Sequence, residues 1–323
     1  MDVLGIDVGK YELHAVLVQG ERTTRKSVGN TQAGHEQLLK WLTNRRATKV
    51  HVCLEATGSY GIAVAEFLYD RDCVVSVVNP AQIKAFGRSE LVRTKTDAVD
   101  AGLIARFCRA NQPLPWKPAA AHIRTLRALV RRRETLTDLL TAEGNRLEPA
   151  TTKEVKRSVR AVIRYLRAEL KRLEAEIDRH IDQHPDLRAQ IDRLDEIPGF
   201  GALTATKVIA ETHAFTVCSS SSEIVAFAGL NPRLYQSGSI TRRGRISRIG
   251  NPTLRKALYY AALSAKTHAA YFRPFVVRLQ AAGKRPKVII TAIMRKLLIL
   301  SLPRFRGQWV RRHVANALRT PPG

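Results

Sequence analysis

The sequence has few cysteines and no long apolar run, and each shortage excludes a class of protein. Only 4 of the 323 residues are cysteine, and no two are spaced as C-x-x-C, so neither a zinc site nor a disulfide framework is expected. The apolar run from Val288 to Met294 ends at Arg295 and Lys296, far short of the roughly 20 residues of a membrane span. The N-terminus lacks a basic region followed by an apolar stretch. We therefore expect a cytoplasmic protein without membrane contact.

Acidic residues are absent from the last hundred residues. From residue 224 to residue 323 there is no Asp or Glu, whereas Lys and Arg number 20. This segment carries most of the net charge of +26, which comes from 54 basic and 28 acidic residues. A soluble surface usually intersperses charges of both signs. The one-sided segment therefore favours contact with nucleic-acid phosphates over a merely solvated basic surface.

The composition is otherwise that of a globular protein, with 45% hydrophobic and 25% charged residues, and the length allows about two domains. Residues 1–110 alternate short strand-forming runs with helical ones, as α/β domains do. The predicted order is three strands, helix, strand, helix, strand, helix, which is the order of a ribonuclease-H-like fold. These elements are Val3–Val8, His14–Gln19, Thr24–Val28, Gln32–Arg46, Val50–Leu54, Ile62–Tyr69, Cys73–Val78 and helices after Pro80.

Three further regions follow. Residues 111–121 contain three prolines, which favour an extended linker. Residues 122–194 repeat leucine and isoleucine at three- and four-residue spacing, which predicts a long helical hairpin of the coiled-coil kind. We interpret this hairpin as a spacer or a dimerisation arm. Residues 195–323 are predicted to form a mostly helical, basic C-terminal domain.

Four carboxylates could converge in the first domain. Asp7 interrupts an apolar strand, where an unpaired carboxylate is costly. Glu55 follows the buried strand at residues 50–54, and Asp97 and Asp100 are three residues apart, so they face the same way on a helix. Clustered carboxylates need protonation or a metal, and an open site of hard oxygen ligands suits two Mg²⁺ ions. Taken singly, each acid could equally be a helix-terminal or solvated residue.

The C-terminal region contains two segments suited to phosphate. A glycine turn, Ile197-Pro198-Gly199-Phe200-Gly201, leads into a helix and looks like a helix-hairpin-helix element, although an ordinary helix connection is equally compatible. Further on, Ser237 stands beside glycine on a predicted loop among arginines, which suits a phosphoryl-transfer nucleophile. A solvated Ser-Gly turn is the simpler alternative. The candidate nucleic-acid-binding residues are Gly199, Gly201, Arg233, Arg242, Arg243, Arg245, Arg248, Arg255 and Lys256.

Together these motifs resemble the DEDD insertion-sequence transposases, the insertion sequence one-ten family of bridge-RNA-guided recombinases. The motifs that carry the resemblance are Gly5-Ile6-Asp7, Leu54-Glu55-Ala56-Thr57-Gly58, Lys95-Thr96-Asp97-Ala98-Val99-Asp100-Ala101, Ile197-Pro198-Gly199, Phe227-Ala228-Gly229-Leu230 and Gln236-Ser237-Gly238. They extend over nearly the whole chain and thin out after about residue 304.

The resemblance implies a RuvC-like domain in which Asp7, Glu55, Asp97 and Asp100 bind Mg²⁺, and it implies that the partners are donor and target DNA. It implies that Ser237 becomes joined to DNA through phosphoserine, with Ser239 as the alternative serine. It further implies that a structured non-coding guide RNA selects the DNA and that the protein works near the bacterial nucleoid. We expect a homo-oligomer, a dimer or tetramer, in which the first domain of one protomer works with the last domain of another.

Three rival functions are compatible with parts of the sequence. A metal-dependent junction nuclease would need the four acids but not the serine. An actin-like sugar kinase would explain Gly5-Ile6-Asp7-Val8-Gly9-Lys10 before a hairpin, but no clear second phosphate loop follows. A non-catalytic architectural DNA-binding protein would explain the basic half, but convergent acids would repel phosphate.

Overall fold

The computed structural model describes residues 1–47, 49–56, 60–91, 97–237 and 240–307. At residues 97, 98, 233–237 and 240–245 only the backbone is described. The chain forms two compact units, Met1–Pro118 and Ala119–Gly323. Within the described ranges, no helix combines the length and apolarity that crossing a membrane requires.

The first unit is a mixed five-stranded sheet with helices on both faces. The strand order is β3-β2-β1-β4-β5, in which β1 pairs antiparallel with β2 and parallel with β4. The predicted order of strands and helices is confirmed, and every predicted strand ends within two residues of an observed one. The elements are β1 (Asp2–Val8), β2 (Glu12–Gln19), β3 (Arg22–Gly29), α1 (Gln32–Asn44), β4 (Val50–Glu55), α2 (Ile62–Tyr69), β5 (Val74–Val78), α3 (Pro80–Ser89) and α4 (Asp97–Asn111).

Each face of this sheet has its own apolar core. Leu4 and Ile6 of β1 are fully buried on the face that also packs α1 and α2. Val3 of β1 and Cys53 of β4 are buried on the opposite face, against Ile104 of α4 and its neighbours. Because side chains alternate across a strand, a central strand covered on both faces must be apolar throughout. This is why a carboxylate in β1 is conspicuous.

The contact between α4 and β1 is made possible by Gly5. A Cβ atom at Gly5 would lie 2.3 Å from the carbonyl oxygen of Ala101 and 2.4 Å from the backbone nitrogen of Ala105. Both atoms belong to helix backbone, which cannot yield as a flexible side chain would. Glycine therefore lets the helix backbone rest directly on the strand.

The proline-rich segment interpreted as a linker lies along β5. The backbone N–H of Trp116 donates to the carbonyl oxygen of Val75 at 2.7 Å. The hydroxyl of Ser76 lies 2.9 Å from the carbonyl oxygens of Pro113 and Leu114. Residues 111–118 therefore belong to the first compact unit, and the division of the chain into the four predicted segments stays a prediction.

The second unit consists of helices and one β-hairpin around a continuous core. Buried residues of the helical hairpin and of the basic region belong to the same apolar cluster, so the two regions share one core. The elements are α5 (Ala121–Leu147), α6 (Lys153–Asp182), α7 (Pro185–Asp195), α8 (Ala202–Glu211), α9 (Ser221–Phe227), β6 (Pro232–Ser237), β7 (Ile240–Ile246), α10 (Pro252–His268), α11 (Arg273–Ala281) and α12 (Pro286–Phe305).

The predicted long helices are present as α5 and α6. The leucine spacing correctly indicated the inward face of α6, where Leu166, Leu173 and Ile177 are buried. In contrast, the segment around Ser237, predicted to be a loop, forms the antiparallel hairpin of β6 and β7. Its arginines and glycine hide the strand pattern, because β7 lacks the alternation of apolar and polar residues that identifies strands.

A buried ionic cluster joins three helices of this unit. The side chain of Glu211, at the end of α8, is fully buried and accepts two hydrogen bonds from the Arg131 guanidinium, at 2.8 and 2.9 Å. The side-chain amide of Asn251 donates a third at 2.7 Å. Burial alone would raise the pKa of Glu211, but these donors hold the pKa below its ordinary value. Glu211 is therefore an internal carboxylate that orders α5, α8 and the start of α10.

We expect Gly5→Ala to unfold or strongly destabilise the first unit, because the added methyl group collides with the backbone of α4. The loss in the free energy of unfolding should reach at least about 3 kcal/mol. Gly102→Ala in α4 is the matched control. A Cβ there meets only Arg106 Nη1, at 3.7 Å, so this change should be neutral or stabilise by up to about 1 kcal/mol. Denaturant unfolding monitors both, and equal stability of the two variants would contradict the packing argument.

We expect acid to weaken the second unit through His213. Burial, reinforced by the charge of Arg127, lowers the pKa of His213 to about 4, from an ordinary 6.5. The unfolded chain therefore takes up this proton first, and the stabilisation, complete above about pH 6.5, is lost as the pH falls towards 4. Between about pH 7 and pH 5 the loss is roughly 2 kcal/mol.

The variant His213→Asn should remove this part of the pH dependence. Asparagine tolerates the positive φ of 51° at this position. His268→Asn changes an exposed histidine of the same unit and serves as the control. The measurement is urea unfolding at both pH values, and an unchanged pH dependence in His213→Asn would refute the assignment.

Candidate active site and nucleic-acid contacts

Asp7 and Glu55 lie at the same end of neighbouring parallel strands. In the register of β1 and β4, Ile6 pairs with Leu54, so the next residues of both strands, the two acids, stand side by side. Both residues are half-buried. The carboxyl ends of parallel strands, where these acids lie, are the usual location of functional groups in open sheets.

Both acids share the face of the sheet that α4 covers. Gly5 contacts α4 directly, and Asp7 is two residues further on, hence on the same face. Cys53 belongs to the α4-facing core, and Glu55 is likewise two residues beyond it. The strand alternation therefore directs both carboxylates towards the side on which α4 lies.

The direction of α4 brings Asp97 and Asp100 to the same level. Ala101 and Ala105 lie against Gly5, and further along the helix the sulfur of Cys108 lies 3.9 Å from the carbonyl oxygen of His51. The helix thus runs antiparallel to β1 and β4. One helical turn of about 5.4 Å nearly matches two strand residues of about 6.6 Å. The turn before Ala101, which contains Asp97 and Asp100, is therefore level with the two strand acids.

The described side chains do not by themselves complete a metal site. Among them, no three histidine, cysteine or acidic residues are close enough to hold an ion. The side chain of Asp97, the fourth predicted ligand, lies outside the described residues. The donor chemistry fits a hard cation, because all four predicted ligands are carboxylates. The neighbouring thiol of Cys53 offers no soft ligand, since its hydrogen bond with Cys108 and its burial raise its pKa.

His14 is a neighbour of the acids that the sequence did not reveal as a site residue. It pairs with Asp7 across the antiparallel strands β1 and β2, so the two side chains share a face. Its Nδ1 lies 2.8 Å from the hydroxyl of Ser27 on β3. The sequence predicted only that a strand begins at His14. The pairing register of the hairpin is the signal that locates it beside Asp7.

Ser237 belongs to the second unit, as the last residue of β6. It pairs with Ile240 of β7, so it ends a strand and does not lie in an irregular loop. Its side chain, and those of Arg233, Arg242, Arg243 and Arg245, lie outside the described residues, as does Ser239. Arg248 is exposed just after the hairpin.

Two of the predicted nucleic-acid contacts are engaged within the second unit. The ammonium group of Lys256 lies 2.6 Å from a carboxylate oxygen of both Glu134 and Asp138 on α5. Bonds to Asp138 and Glu134 raise the pKa of Lys256. The guanidinium of Arg255 donates to the carbonyl oxygen of Ala228 at 2.9 Å. Both cations therefore hold the unit together, and Lys256 is already neutralised.

The glycine turn between α7 and α8 serves packing at one glycine and is open at the other. Gly199 has φ +95°, and a Cβ there would lie 2.3 Å from the Cβ of Ala265 on α10. Glycine is therefore required for this contact whether or not phosphate binds. Around Gly201 no atom lies within 4 Å of the position of a Cβ, so this end of the turn has free space in front of α8.

Two family models match the chain. A model described as a transposase, of the DEDD type of IS110, matches residues 4–152. A model described as "Transposase IS116/IS110/IS902 family" matches residues 191–276. Among solved structures, "T. thermophilus RuvC in complex with Holliday junction substrate" is similar over 36% of this chain and 99% of that chain, with 16% identity and a TM-score of 0.29.

Curated relatives match almost the full length. The "Pilin gene-inverting protein" of Moraxella bovis and that of Moraxella lacunata are each 33% identical over 303 residues, covering 92% of this chain and 94% of theirs. A "Probable family 20 transposase" of Pseudomonas aeruginosa is 31% identical over 35% of this chain and 32% of its own. The chain therefore belongs to the IS110 family of transposases, whose activity is DNA recombination.

Proposed function

We propose that this transposase cleaves and rejoins DNA strands at a carboxylate site formed by Asp7, Glu55, Asp97 and Asp100, with Ser237 as the nucleophile. The observation that carries the proposal is the shared end of one sheet face: Asp7 and Glu55 follow paired residues of β1 and β4, and α4 begins level with them. Unrelated solvated acids would not be expected to lie at the same level of β1, β4 and α4.

The carboxylates would hold Mg²⁺. When bound, Mg²⁺ supplies a positive charge that polarises a phosphate and stabilises a leaving oxygen. Asp7 and Glu55, on rigid neighbouring strands, would give the ligand set its fixed part, whereas α4 contributes its ligands from a helix that rests on Gly5. The half-burial of both strand acids limits competition from bulk water.

In the proposed strand transfer, the Ser237 oxygen attacks a DNA phosphorus atom. A phosphoserine bond forms, the bond from phosphorus to one deoxyribose oxygen breaks, and that oxygen takes up a proton. A deoxyribose hydroxyl of another strand then attacks the same phosphorus and releases the serine hydroxyl. The number of phosphodiester bonds is conserved, so no external energy source is needed.

The proposed partners are donor DNA, target DNA, a structured guide RNA and further copies of the same chain. The acid-free segment from residue 224 supports polyanion binding by its 20 basic residues. The RNA and the oligomer rest on the family resemblance alone. The name of the Moraxella relatives describes gene inversion, and we propose a related recombination reaction for this chain.

We expect Asp7→Asn to abolish Mg²⁺-dependent strand cleavage, by at least about a hundredfold, because the ion loses a charged ligand. Mg²⁺ should also raise the melting temperature of the wild type but not of the variant. Asp70→Asn, which removes an exposed acid of the same unit, is the matched control. Full Mg²⁺-dependent activity in Asp7→Asn would exclude the carboxylate site.

We expect wild-type protein, incubated with Mg²⁺, guide RNA transcribed from the flank of the element and labelled junction DNA, to form a protein–DNA adduct that survives denaturation. Ser237→Ala should form none, because the attacking oxygen is gone. Ser239→Ala is the control and should retain the adduct. The reverse pattern would identify Ser239 as the nucleophile. Cleavage without any adduct would favour a metal-dependent junction nuclease.

A further inference from the structure

A groove in the first unit is lined by arginines that the carboxylate site does not use. It is a cavity of about 220 Å³ between α4 and the hairpin of β2 and β3. Val16 and Val18 form its floor, and Arg25, Arg106 and Arg109 line its walls. These three guanidinium groups come from two elements more than seventy residues apart in sequence, so their meeting is a product of the fold.

The strand register directs Arg25 into this groove. Val16 of β2 pairs with Gly5 of β1 and with Arg25 of β3. Directly paired residues share a face of the sheet, and Gly5 faces α4. Lys26, the next residue of β3, pairs with Ala15 and therefore lies on the opposite face. The two neighbouring cations of one strand thus have different surroundings.

Helix α4 contributes residues from one of its sides to the same groove. Gly102, Arg106 and Arg109 follow one another at spacings of four and three residues, so they lie on one side of α4. The guanidinium of Arg106 donates to a carboxylate oxygen of Glu90 at 2.8 Å, and that of Arg109 donates to the carbonyl oxygen of Gly20 at 2.8 Å. These bonds orient both groups but leave most of their five N–H donors for another acceptor.

The charge of the groove is positive. Its lining contains three arginines and a single acid, Glu21. Across the described parts of the chain, no carboxylate forms an ion pair with Arg25 or Arg109. Arg106 has Glu90 as its counter-ion, so the uncompensated charge is that of Arg25 and Arg109, and an anion in the groove would relieve the repulsion among these cations.

Gly102 keeps the groove open. Glycine weakens a helix interior relative to alanine, yet packing in the fold does not require it here. A Cβ at Gly102 would meet only Arg106 Nη1, at the ordinary contact distance of 3.7 Å. A longer side chain at this position would extend into the groove. A ligand in the groove would explain why glycine, and not a larger residue, occupies this position of α4.

The groove adjoins the level of the predicted carboxylate site. Ser27, His14 and Asp7 are paired across β3, β2 and β1, and Arg25, Val16 and Gly5 are paired two residues away. Two strand residues correspond to about 7 Å. A nucleic-acid strand with one phosphate at Asp7 would therefore have a neighbouring phosphate within reach of Arg25, whereas Arg109, bonded to Gly20, lies at the far end of the groove.

We propose that this groove binds a backbone phosphodiester of nucleic acid, next to the phosphate that reacts. The planar guanidinium fork suits phosphate oxygens, and the contact reads backbone and not base sequence. Its position beside the reacting phosphate rests on the proposed function, but phosphate binding itself does not. Binding is therefore measured with EDTA present. Because EDTA removes Mg²⁺, the measurement does not depend on cleavage and tests the groove even if the proposed catalytic site is wrong.

The test is nucleic-acid affinity of the full-length protein as a function of salt. We expect the double variant Arg25→Gln, Arg109→Gln to bind several-fold more weakly and to lower the slope of log affinity against log salt by about two, roughly one per phosphate contact. One arm uses a labelled DNA duplex from the element end, and the other uses labelled RNA transcribed from the flank. The arm in which the slope falls identifies DNA or RNA as the source of the phosphate.

Lys26→Gln is the matched control, because it removes one cation from the same strand but from the other face. If the cations of β3 merely discourage edge-to-edge pairing of strands, Arg25→Gln and Lys26→Gln will have equal effects, which would overturn the proposal. So would unchanged slopes in both arms. Gly102→Leu should also weaken binding, because leucine fills the groove and leaves its charges in place. Since leucine is a good helix former, the melting temperature should not fall.

Discussion

The direct contact of α4 with Gly5 of β1 is the constraint on which the first unit depends. Because no side chain separates helix from strand at this point, the contact fixes both the distance of α4 from the sheet and the position of α4 along β1. That position brings its first turn, with Asp97 and Asp100, to the carboxyl ends of β1 and β4. The same placement carries Arg106 and Arg109, later in α4, to the edge of the hairpin of β2 and β3. One close contact thus sets both the predicted carboxylate site and the arginine groove.

In the second unit, the acids of the helical hairpin compensate for the acid-free segment. Glu134 and Asp138 of α5 pair with Lys256, and Glu134 also pairs with Lys207. Glu211, the buried carboxylate, is satisfied by an arginine of α5 and by Asn251. Part of the positive charge is therefore consumed inside the unit, so a count of Lys and Arg overstates what is free for phosphate. The shared core makes these ion pairs possible, because helices that pack together bring oppositely charged side chains into contact, however far apart they are in sequence.

Periodicity was sufficient for β1, β2, β4 and β5, because strands buried on both faces leave apolar runs in which an acid such as Asp7 stands out. The polar β3 is mostly exposed and has no such run. Periodicity was insufficient for β6 and β7, whose arginines and glycine hide the strand pattern. It also missed His14, because the pairing of two strands, and not the residue or its neighbours in sequence, places it opposite Asp7. The three prolines of residues 111–121 predict an extended linker, and residue spacing gave no sign that the backbone N–H of Trp116 donates to Val75 of β5.

The sequence by itself determined the alternation of elements, the acids at strand and helix ends and the strongly basic last third, because these properties depend on residue type and spacing. Only the tertiary structure decided which acids share a face, which cations are neutralised and which converge on a groove. Such outcomes depend on register, on helix direction and on contacts between residues far apart in the chain, as the contact of Gly5 with the backbone of α4 illustrates in the first unit.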